Sequence, residues 1–390
     1  MKQILTIWSL FIICLVNGQT KEVFLQSKMD GEKTLSDGTD VQFWGYGIES
    51  PITGQARIYL PGPILRFDLG DTVIIHLDNV SPEDHTIHWH GLDVDQENDG
   101  VGHTSQDVWA GTGFTYQFVC THAGTFLYHC HVLTPLHLAM GMYGLFIVDG
   151  SEDNSLYDET TVYTKDFSFL FSEMNTSWNI DPLNPGPFAL YEADYVMVNG
   201  FADEELDSTD NIVYGILEDT LGFRLANTGY GKVKVTFPSE LDVVLVGSDG
   251  RKLPNTVSIN ELTIYPGERF EVLAEPNTLF EGVMSVDYFD LRNNNLIGTN
   301  DVNISITSAL DISDQTLEDQ TLKLFPNPAS DFVTVEFDGL AKTGTITDLS
   351  GRLVSNFNLT ENQSKIDVRN LKKGTYFITV EGCSIKFVKD

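Results

Sequence analysis

Apolar residues recur at every second position in short runs along much of the chain. Val73, Ile75 and Leu77 interleave with Ile74, His76 and Asp78, and Phe114, Tyr116 and Phe118 interleave with Thr115 and Gln117. Successive side chains of a strand point to opposite faces, so this period of two, broken by Gly-rich turns, predicts the strands of a β-sandwich over residues 55–150. The plan repeats further on. Gly70-Asp71-Thr72-Val73 followed by Asn79 returns as Glu218-Asp219-Thr220-Leu221 followed by Asn227, and Ala110-Gly111-Thr112-Gly113-Phe114 returns as Pro266-Gly267-Glu268-Arg269-Phe270. Two copies of one sandwich are the simplest account. The polar run Gly150-Ser151-Glu152-Asp153-Asn154-Ser155 marks a boundary between them, and a second break falls at Asp311-Ile312-Ser313-Asp314-Gln315. The predicted fold is all-β: two Greek-key β-sandwiches over 20–150 and 151–310, then a small β-sandwich module over 322–390.

Composition narrows the picture. A chain of 390 residues suits two or three domains, and 33 Gly with 14 Pro among many Val, Ile, Thr, Phe and Tyr fits an all-β class. The formal net charge of -33 excludes nucleic acid and anionic membrane surfaces as partners and is accounted for by solubility. Residues 1–19 read as a secretory signal: Lys2, an apolar core from Ile4 to Val16, and small Val16 and Gly18 before a cut at Gln19. That core is too short to span a bilayer, and no later segment is long enough, so no membrane span is expected. Cys14 leaves with the leader; Cys120, Cys130 and Cys383 make an odd, scattered set, which is no disulfide framework, and a metal is one occupant for an exported thiol.

All nine histidines lie between His76 and His137, so they belong to one local site. One stretch is His85-Thr86-Ile87-His88-Trp89-His90-Gly91; another is Tyr128-His129-Cys130-His131, followed by His137 and Met142. Strand alternation sends His88 and His90 one way, and sends His129 and His131 to the face opposite Cys130. On one side Cys130 can join His85, His137 and Met142, a thiolate, two imidazoles and a weak thioether that match a blue-copper electron-transfer site. On the other side His88, His90, His129 and His131 offer four imidazoles suited to further copper ions that bind oxygen species. His76 reads as structural, mid-strand. His103 and His122 fall in loops near the site, as auxiliary ligands or as solvent-facing groups around it. Asp99-Gly100 reads as a turn-forming pair. Cys120 reads as a buried small hydrophobe.

The H-x-x-H-x-H-G and H-C-H…H-x-x-x-x-M pair, with Pro61-Gly62-Pro63-Ile64-Leu65-Arg66 and Gly70-Asp71-Thr72, resembles the signature of multicopper oxidases, laccase-like enzymes built from cupredoxin domains. The resemblance is specific over residues 55–150 and weaker over 150–310. It implies type 1 copper at His85, Cys130, His137 and Met142, type 2 copper at His88, a type 3 pair at His90, His129 and His131, and in Asp99, beside Gly100, the family's acidic group that delivers protons to oxygen, the alternative being a plain Asp-Gly turn. Met142 is preferred to Met140 because it lies five residues after His137, the family's spacing for the axial ligand. Leu324-Phe325-Pro326-Asn327-Pro328-Ala329, Asp348-Leu349-Ser350-Gly351-Arg352 and Leu371-Lys372-Lys373-Gly374-Thr375-Tyr376-Phe377 resemble the C-terminal sorting domain of type IX secretion, which implies export to the surface or medium.

The family reduces oxygen at a three-copper cluster held by eight histidines from two cupredoxin domains, and the second repeat departs from that pattern. It reads Val235-Thr236-Phe237-Pro238-Ser239-Glu240-Leu241 and Ser285-Val286-Asp287-Tyr288-Phe289 where ligands would lie. The expected activity is therefore that of a secreted oxidase taking electrons from a phenol-like or metal-ion reductant and passing them to dioxygen, with its cluster completed in a homo-oligomer. The alternative is a non-enzymatic blue-copper carrier or copper-binding protein. Copper nitrite reductase would need a second-domain histidine, which is absent.

Overall fold

The computed structural model describes residues 18–202, 204–207, 212–308, 322–337, 343–348, 353–359, 363–380 and 383–389. All but the last two residues of the expected leader, the break at 311–315 and residues 349–352 of the tail motif lie outside them. The chain divides into two compact units, one ending at Ser308 and the other running from Ala309. It is nearly all strand, and no helix of the described residues is long and apolar enough to cross a membrane.

The first sandwich is made of eight strands: β1 (Thr20–Thr34), β2 (Asp40–Ile48), β3 (Leu65–Asp68), β4 (Thr72–Asn79), β5 (His88–His90), β6 (Gly113–Val119), β7 (Gly124–His129) and β8 (Tyr143–Asp149). One sheet has the order β2-β1-β4-β6 and the other β3-β8-β7-β5. The alternation read from the sequence sets their faces: Val73, Ile75 and Leu77 of β4 and Tyr116 and Phe118 of β6 are buried, and Ile74, His76 and Thr115 face outward. The two sheets close over Trp89, whose ring meets Tyr116 edge-on at 5.4 Å and Phe146 at 5.7 Å. The hairpin β1–β2 was not foreseen; β1 runs parallel to β4, and the first sheet begins at Thr20 opposite Thr72, four residues after the expected leader's apolar core ends at Val16.

Eleven strands form the second sandwich: β9 (Lys165–Met174), β10 (Tyr195–Val198), β11 (Val213–Ile216), β12 (Leu221–Asn227), β13 (Lys232–Thr236), β14 (Leu241–Ser248), β15 (Arg251–Ile259), β16 (Glu261–Ile264), β17 (Arg269–Pro276), β18 (Phe280–Phe289) and β19 (Leu296–Thr307). Their sheets run β10-β9-β12-β17-β14-β15 and β11-β19-β18-β13-β16. The repeat seen in the sequence is a repeated corner. Asn79 donates its N–H to Thr112 O and accepts from Gly111 N–H; Asn227 donates to Glu268 O and accepts from Gly267 N–H. Both glycines have left-handed φ, +73° and +83°, a conformation that costs a side-chain-bearing residue about 1–2 kcal/mol. Both asparagine side chains are fully buried and pin the following loop, Asn79 through Glu83 O and Val108 O, Asn227 through Gly231 O and Ile264 O.

The sandwiches meet through buried polar groups. Arg224, fully buried on β12, bonds Asp149 at the end of β8 (3.0 Å) and Asp166 on β9 (2.9 Å). Glu271, also fully buried, accepts the Thr125 N–H of β7 and the Tyr157 hydroxyl.

The C-terminal unit is a separate small sandwich of seven strands: β20 (Leu322–Phe325), β21 (Phe332–Phe337), β22 (Thr343–Asp348), β23 (Leu353–Asn358), β24 (Gln363–Asp367), β25 (Gly374–Val380) and β26 (Cys383–Lys389), in sheets β20-β21-β24 and β23-β22-β25-β26. Its core gathers Val333, Val335, Ile346, Ile378 and Phe387.

Candidate metal centre

Strands β5 and β7 pair antiparallel with His88 opposite His129 and Trp89 opposite Tyr128. Trp89, Tyr128 and Cys130 turn into the core, and His88, His90, His129 and His131 turn to the opposite face. One strand pair thus presents a thiol to one face and imidazoles to the other.

On the inner face, Cys130 Sγ lies 3.1 Å from His137 Nδ1 and 3.6 Å from His85 Nδ1. All three residues are buried, and their ligand atoms lie within 4.8 Å of one another. His85 is fixed by a two-way backbone bridge to Val108. His137 sits on a short helix, α1 (Thr134–Ala139), which the strand pattern did not predict. That helix starts from Leu133 in the left-handed conformation (φ 43°), with Pro135 in its first turn, and so returns His137 toward Cys130 within seven residues. Met142 is fully buried; its N–H bonds His137 O and its carbonyl accepts the Cys130 N–H, so its backbone joins the two ligands. Met140 is equally buried, but its carbonyl is taken by the Trp44 N–H.

Burial keeps this set uncharged. It pushes His85 down to about 3, with His137 adding to the effect, and His137 itself down to about 4. It pushes the Cys130 thiol up to about 11, against N–H groups of Thr86 and Val132 and the Tyr46 hydroxyl, all of which favour the thiolate. The Nε2 atoms of His85 and His137 are buried with no hydrogen-bond partner among the described residues; Glu83 Oε2 is 3.6 Å from the latter. Two neutral imidazoles turned by Nδ1 onto a buried thiol form a donor set that fits copper, whose charge would draw the thiol proton off.

On the outer face, His88, His90 and His129 bring their ligand atoms within 4.8 Å of one another. His131 completes the group, its ring centroid 5.3 Å from His88 and 5.9 Å from His129. Hydrogen bonds to neighbouring backbone set the tautomers: His88 Nδ1–H donates to Asp99 O (2.8 Å) and His129 Nδ1–H to Cys130 O (3.0 Å). The His88 Nε2 lone pair is left for a metal, the usual arrangement for a ligating histidine, and His129 Nε2 lies 3.3 Å from His90 Nδ1. His90 is held down to about 4, first by burial and then by Arg269; His129 falls to about 3 by burial, and His131 is also lowered by burial. His88, His90 and His131 are only half-buried.

The remaining sequence candidates separate clearly. The Asp99 carboxylate lies 3.3 Å from His88 Nδ1, in a turn closed by Gly100 at φ +72°. His103 is exposed, close enough to His131 for its charge to be felt. His122 points away, to Asp93 (3.2 Å) and Thr121 (2.9 Å). His76 bonds Glu22 and Thr115 and stacks on Phe24 at 4.5 Å. Cys120 is a buried free thiol, pushed up to about 12 by burial.

The second sandwich carries no such groups at the matching place. β13 pairs with β18 as β5 pairs with β7, and its outward residues are Lys232, Lys234 and Thr236, with Lys234 3.8 Å from Asp287. It contributes instead two residues that the sequence reading quoted only as part of a repeat. A Cβ on Gly267 would lie 3.0 Å from His90 Cε1, so the glycine lets this loop touch the imidazole. Arg269, 4% exposed, bonds Gly267 O at 2.7 Å and pairs with Asp249 at 3.0 Å beside the same ring.

Residues 56–153 match the family model described as multicopper oxidase, and residues 323–390 match that of the secretion system C-terminal sorting domain. Laccase-1 of Cryptococcus neoformans var. grubii is 27% identical over 276 residues, 64% of this chain and 43% of that protein. The multicopper oxidase mco of Staphylococcus haemolyticus is 27% identical over 225 residues, 55% of this chain and 47% of that protein. The chain thus spans less than half the length of these curated relatives. Among solved structures, the blue copper oxidase from Nitrosomonas europaea superimposes with a TM-score of 0.61 at 26% identity, over 74% of this chain and 86% of that one. The two larger sandwiches are cupredoxin-like, the first carries a multicopper oxidase segment, and the tail is a secretion sorting domain.

Proposed function

We propose that this chain is an exported, copper-dependent oxidase of the multicopper class, with residues 1–19 as its leader, a copper-binding domain over 20–150, a ligand-free second domain over 151–310, and a sorting domain over 322–390. The reading rests above all on one observation: Cys130 lies 3.1 and 3.6 Å from two imidazole Nδ1 atoms on one face of a strand pair whose other face gathers four more imidazoles.

His85, Cys130, His137 and Met142 would hold a type 1 copper, and His88, His90, His129 and His131 the type 2 and type 3 ions. Bound copper would supply one-electron transfer from a small reductant and a site for dioxygen. The chain's own residues do the rest. Burial holds His85, His129 and His137 neutral at ordinary pH, ready to ligate. Cys130 is covalently continuous with His129 and His131, which joins the two faces through one peptide link on either side. Asp99 holds His88 through its carbonyl, and its carboxylate lies where it can pass a proton inward from solvent.

Four imidazoles are half of what the family's oxygen-reducing cluster uses, and Lys234 and Asp287 stand in the second sandwich where others would be. The half-buried edges of His88, His90 and His131 favour completion by a second copy across a two-fold axis, four imidazoles from each chain. The missing second half favours the other reading, a blue-copper carrier that reduces no oxygen.

Copper counting, mass in solution and oxygen uptake with a phenolic donor separate these. The oxidase reading expects more than one copper per chain, an oligomer, and oxygen consumption. One copper per chain in a monomer that leaves oxygen untouched would establish the carrier. In either case Cys130→Ser abolishes the thiolate-to-copper visible absorption, and in the oxidase it leaves copper on the imidazole face.

A further inference from the structure

One cavity of the unit ending at Ser308 contains none of the candidate metal ligands. It lies between the β9–β10 connection, the β12–β13 turn and the β18–β19 turn and has a volume of about 170 Å3. Phe188, Tyr191 and Tyr230 line it, together with Glu173, Asp290 and Arg292. A volume near 150 Å3 accommodates benzene in an engineered protein, so this cavity has room for a compact ion of about five heavy atoms.

Two carboxylates and one guanidinium face this space, and the guanidinium is already engaged. Arg292 bonds Asp290 at 2.5 Å and Ala189 O at 3.2 Å, and stands 3.7 Å from Glu192. Glu173, 6% exposed, has no ion pair among the described residues. It accepts the N–H groups of Tyr230 (2.9 Å) and Gly231 (3.2 Å), and the charge that bears on it, Asp290, is of its own sign. Burial raises its carboxyl to about 7, so at pH 8 it is a buried anion without a counter-ion, a costly arrangement. Gly231, also in the wall, leaves that anion uncovered: a Cβ there would lie 2.9 Å from Glu173 Oε2. The aromatic side is held in place. Tyr191 and Tyr230 lie 4.5 Å apart, tilted by 34°, and Trp178 backs Tyr191 edge-on at 5.1 Å. Aromatic rings beside a carboxylate attract a cation through ring quadrupole and charge together.

We propose that this cavity binds a small, fully methylated ammonium ion, with its charge toward Glu173 and its methyl groups among Phe188, Tyr191 and Tyr230. A methylated ion suits it because the Glu173 oxygens already accept backbone N–H groups: the ligand needs charge and apolar surface, not donors of its own. The net charge of -33 raises the local concentration of any cation. The cavity lies beside the metal centre without sharing a ligand with it: the Tyr230 hydroxyl donates to Pro135 O, two residues before His137 on α1. Its occupation requires no copper.

The test titrates the full-length protein with tetramethylammonium by calorimetry at pH 8 and constant ionic strength. Two ligands of similar shape, neutral tert-butanol and anionic pivalate, serve as comparisons. Saturable binding of the cation, at least about fivefold tighter than either, is expected. Glu173→Gln keeps an acceptor for the two N–H groups, removes the charge, and weakens binding about tenfold or more. Phe188→Ala, at a position 46% exposed, removes one ring without opening a core and weakens it about two- to fivefold. Between pH 8 and pH 6 the wild type loses about tenfold as Glu173 takes up its proton, and Glu173→Gln does not change. The other groups around Glu173 hold their charge over that range: Tyr143, Tyr191, Tyr230 and Tyr288 are all pushed up by burial, Asp290 is lowered by Arg292, and Arg292 is raised by Asp290. No saturation, binding of tert-butanol or pivalate as tight as that of the cation, wild-type affinity in both variants, or an affinity unchanged from pH 6 to pH 8 overturns the proposal.

Discussion

Glu173 makes the cost of a buried carboxyl visible in stability. Its carboxyl titrates at about 7 in the folded protein against an ordinary 4.5, chiefly through burial. A raised carboxyl favours the folded state while protonated; that advantage is complete below pH 4.5 and is lost as pH rises through 7. The shift corresponds to about 3 kcal/mol. Glu173→Gln, which keeps an acceptor for Tyr230 and Gly231, should match the wild type at pH 4.5 and exceed it by up to that amount at pH 8. Thermal unfolding of both proteins across this range measures the difference; parallel curves would refute the burial argument. Gly267 offers a second residue-scale test with a built-in control. Gly111 and Gly267 occupy the same corner with similar φ, yet a Cβ on Gly111 meets nothing within 4 Å and one on Gly267 meets His90 at 3.0 Å. Alanine at either position should cost about 1 kcal/mol of backbone strain. Only Gly267→Ala should also lower copper on the imidazole face, seen by metal analysis with the Cys130 absorption unchanged.

At the scale of elements, β5 and β7 give the two faces opposite proton chemistry. Cys130 holds its proton up to about pH 11, whereas His129, its neighbour, is neutral down to about 3. Loading the thiol face at pH 7 should release about one proton per copper, and loading the imidazole face fewer, because burial already holds His90, His129 and His131 toward the neutral form. Titration in weak buffer, wild type against Cys130→Ser, reads the two separately. This two-faced strand was legible before any coordinates, because a period of two fixes which residues share a side. The Asn79 and Asn227 corners were legible too, since the same residues recur in the same order. Helix α1 was not: Thr134-Pro135-Leu136-His137 is too short for a helical period to stand out, and its start depends on Leu133 adopting φ 43°. Nor was the contact of Gly267 and Arg269 with His90, which joins residues 177 and more positions apart and leaves no local pattern.

For the unit ending at Ser308 as a whole, the question is what makes two sandwiches behave as one body. Arg224 is fully buried and bridges Asp149 of the first to Asp166 of the second, with Arg66 bonding the same two carboxylates at 2.5 and 2.7 Å. Removing one partner of a buried ion pair leaves the other charge desolvated, typically at a cost of about 3–5 kcal/mol. Arg224→Met should therefore destabilise by roughly that amount, less what Arg66, 40% exposed at its side chain, still supplies. Because the loss falls between the sandwiches and leaves both cores intact, the signature should be loss of cooperativity: one calorimetric transition for this unit becoming two. Adding Asp166→Asn to Arg224→Met removes the stranded charge and should restore part of the stability, a coupling that additive, unrelated effects would not produce. Thr125 of β7, bonded to Glu271 across the same interface, lies four residues before His129, so a loosened interface should also weaken the hold of Gly267 and Arg269 on His90. Copper retention on the imidazole face, measured against Cys130 absorption in Arg224→Met, tests whether a second sandwich without ligands is nonetheless part of the metal site.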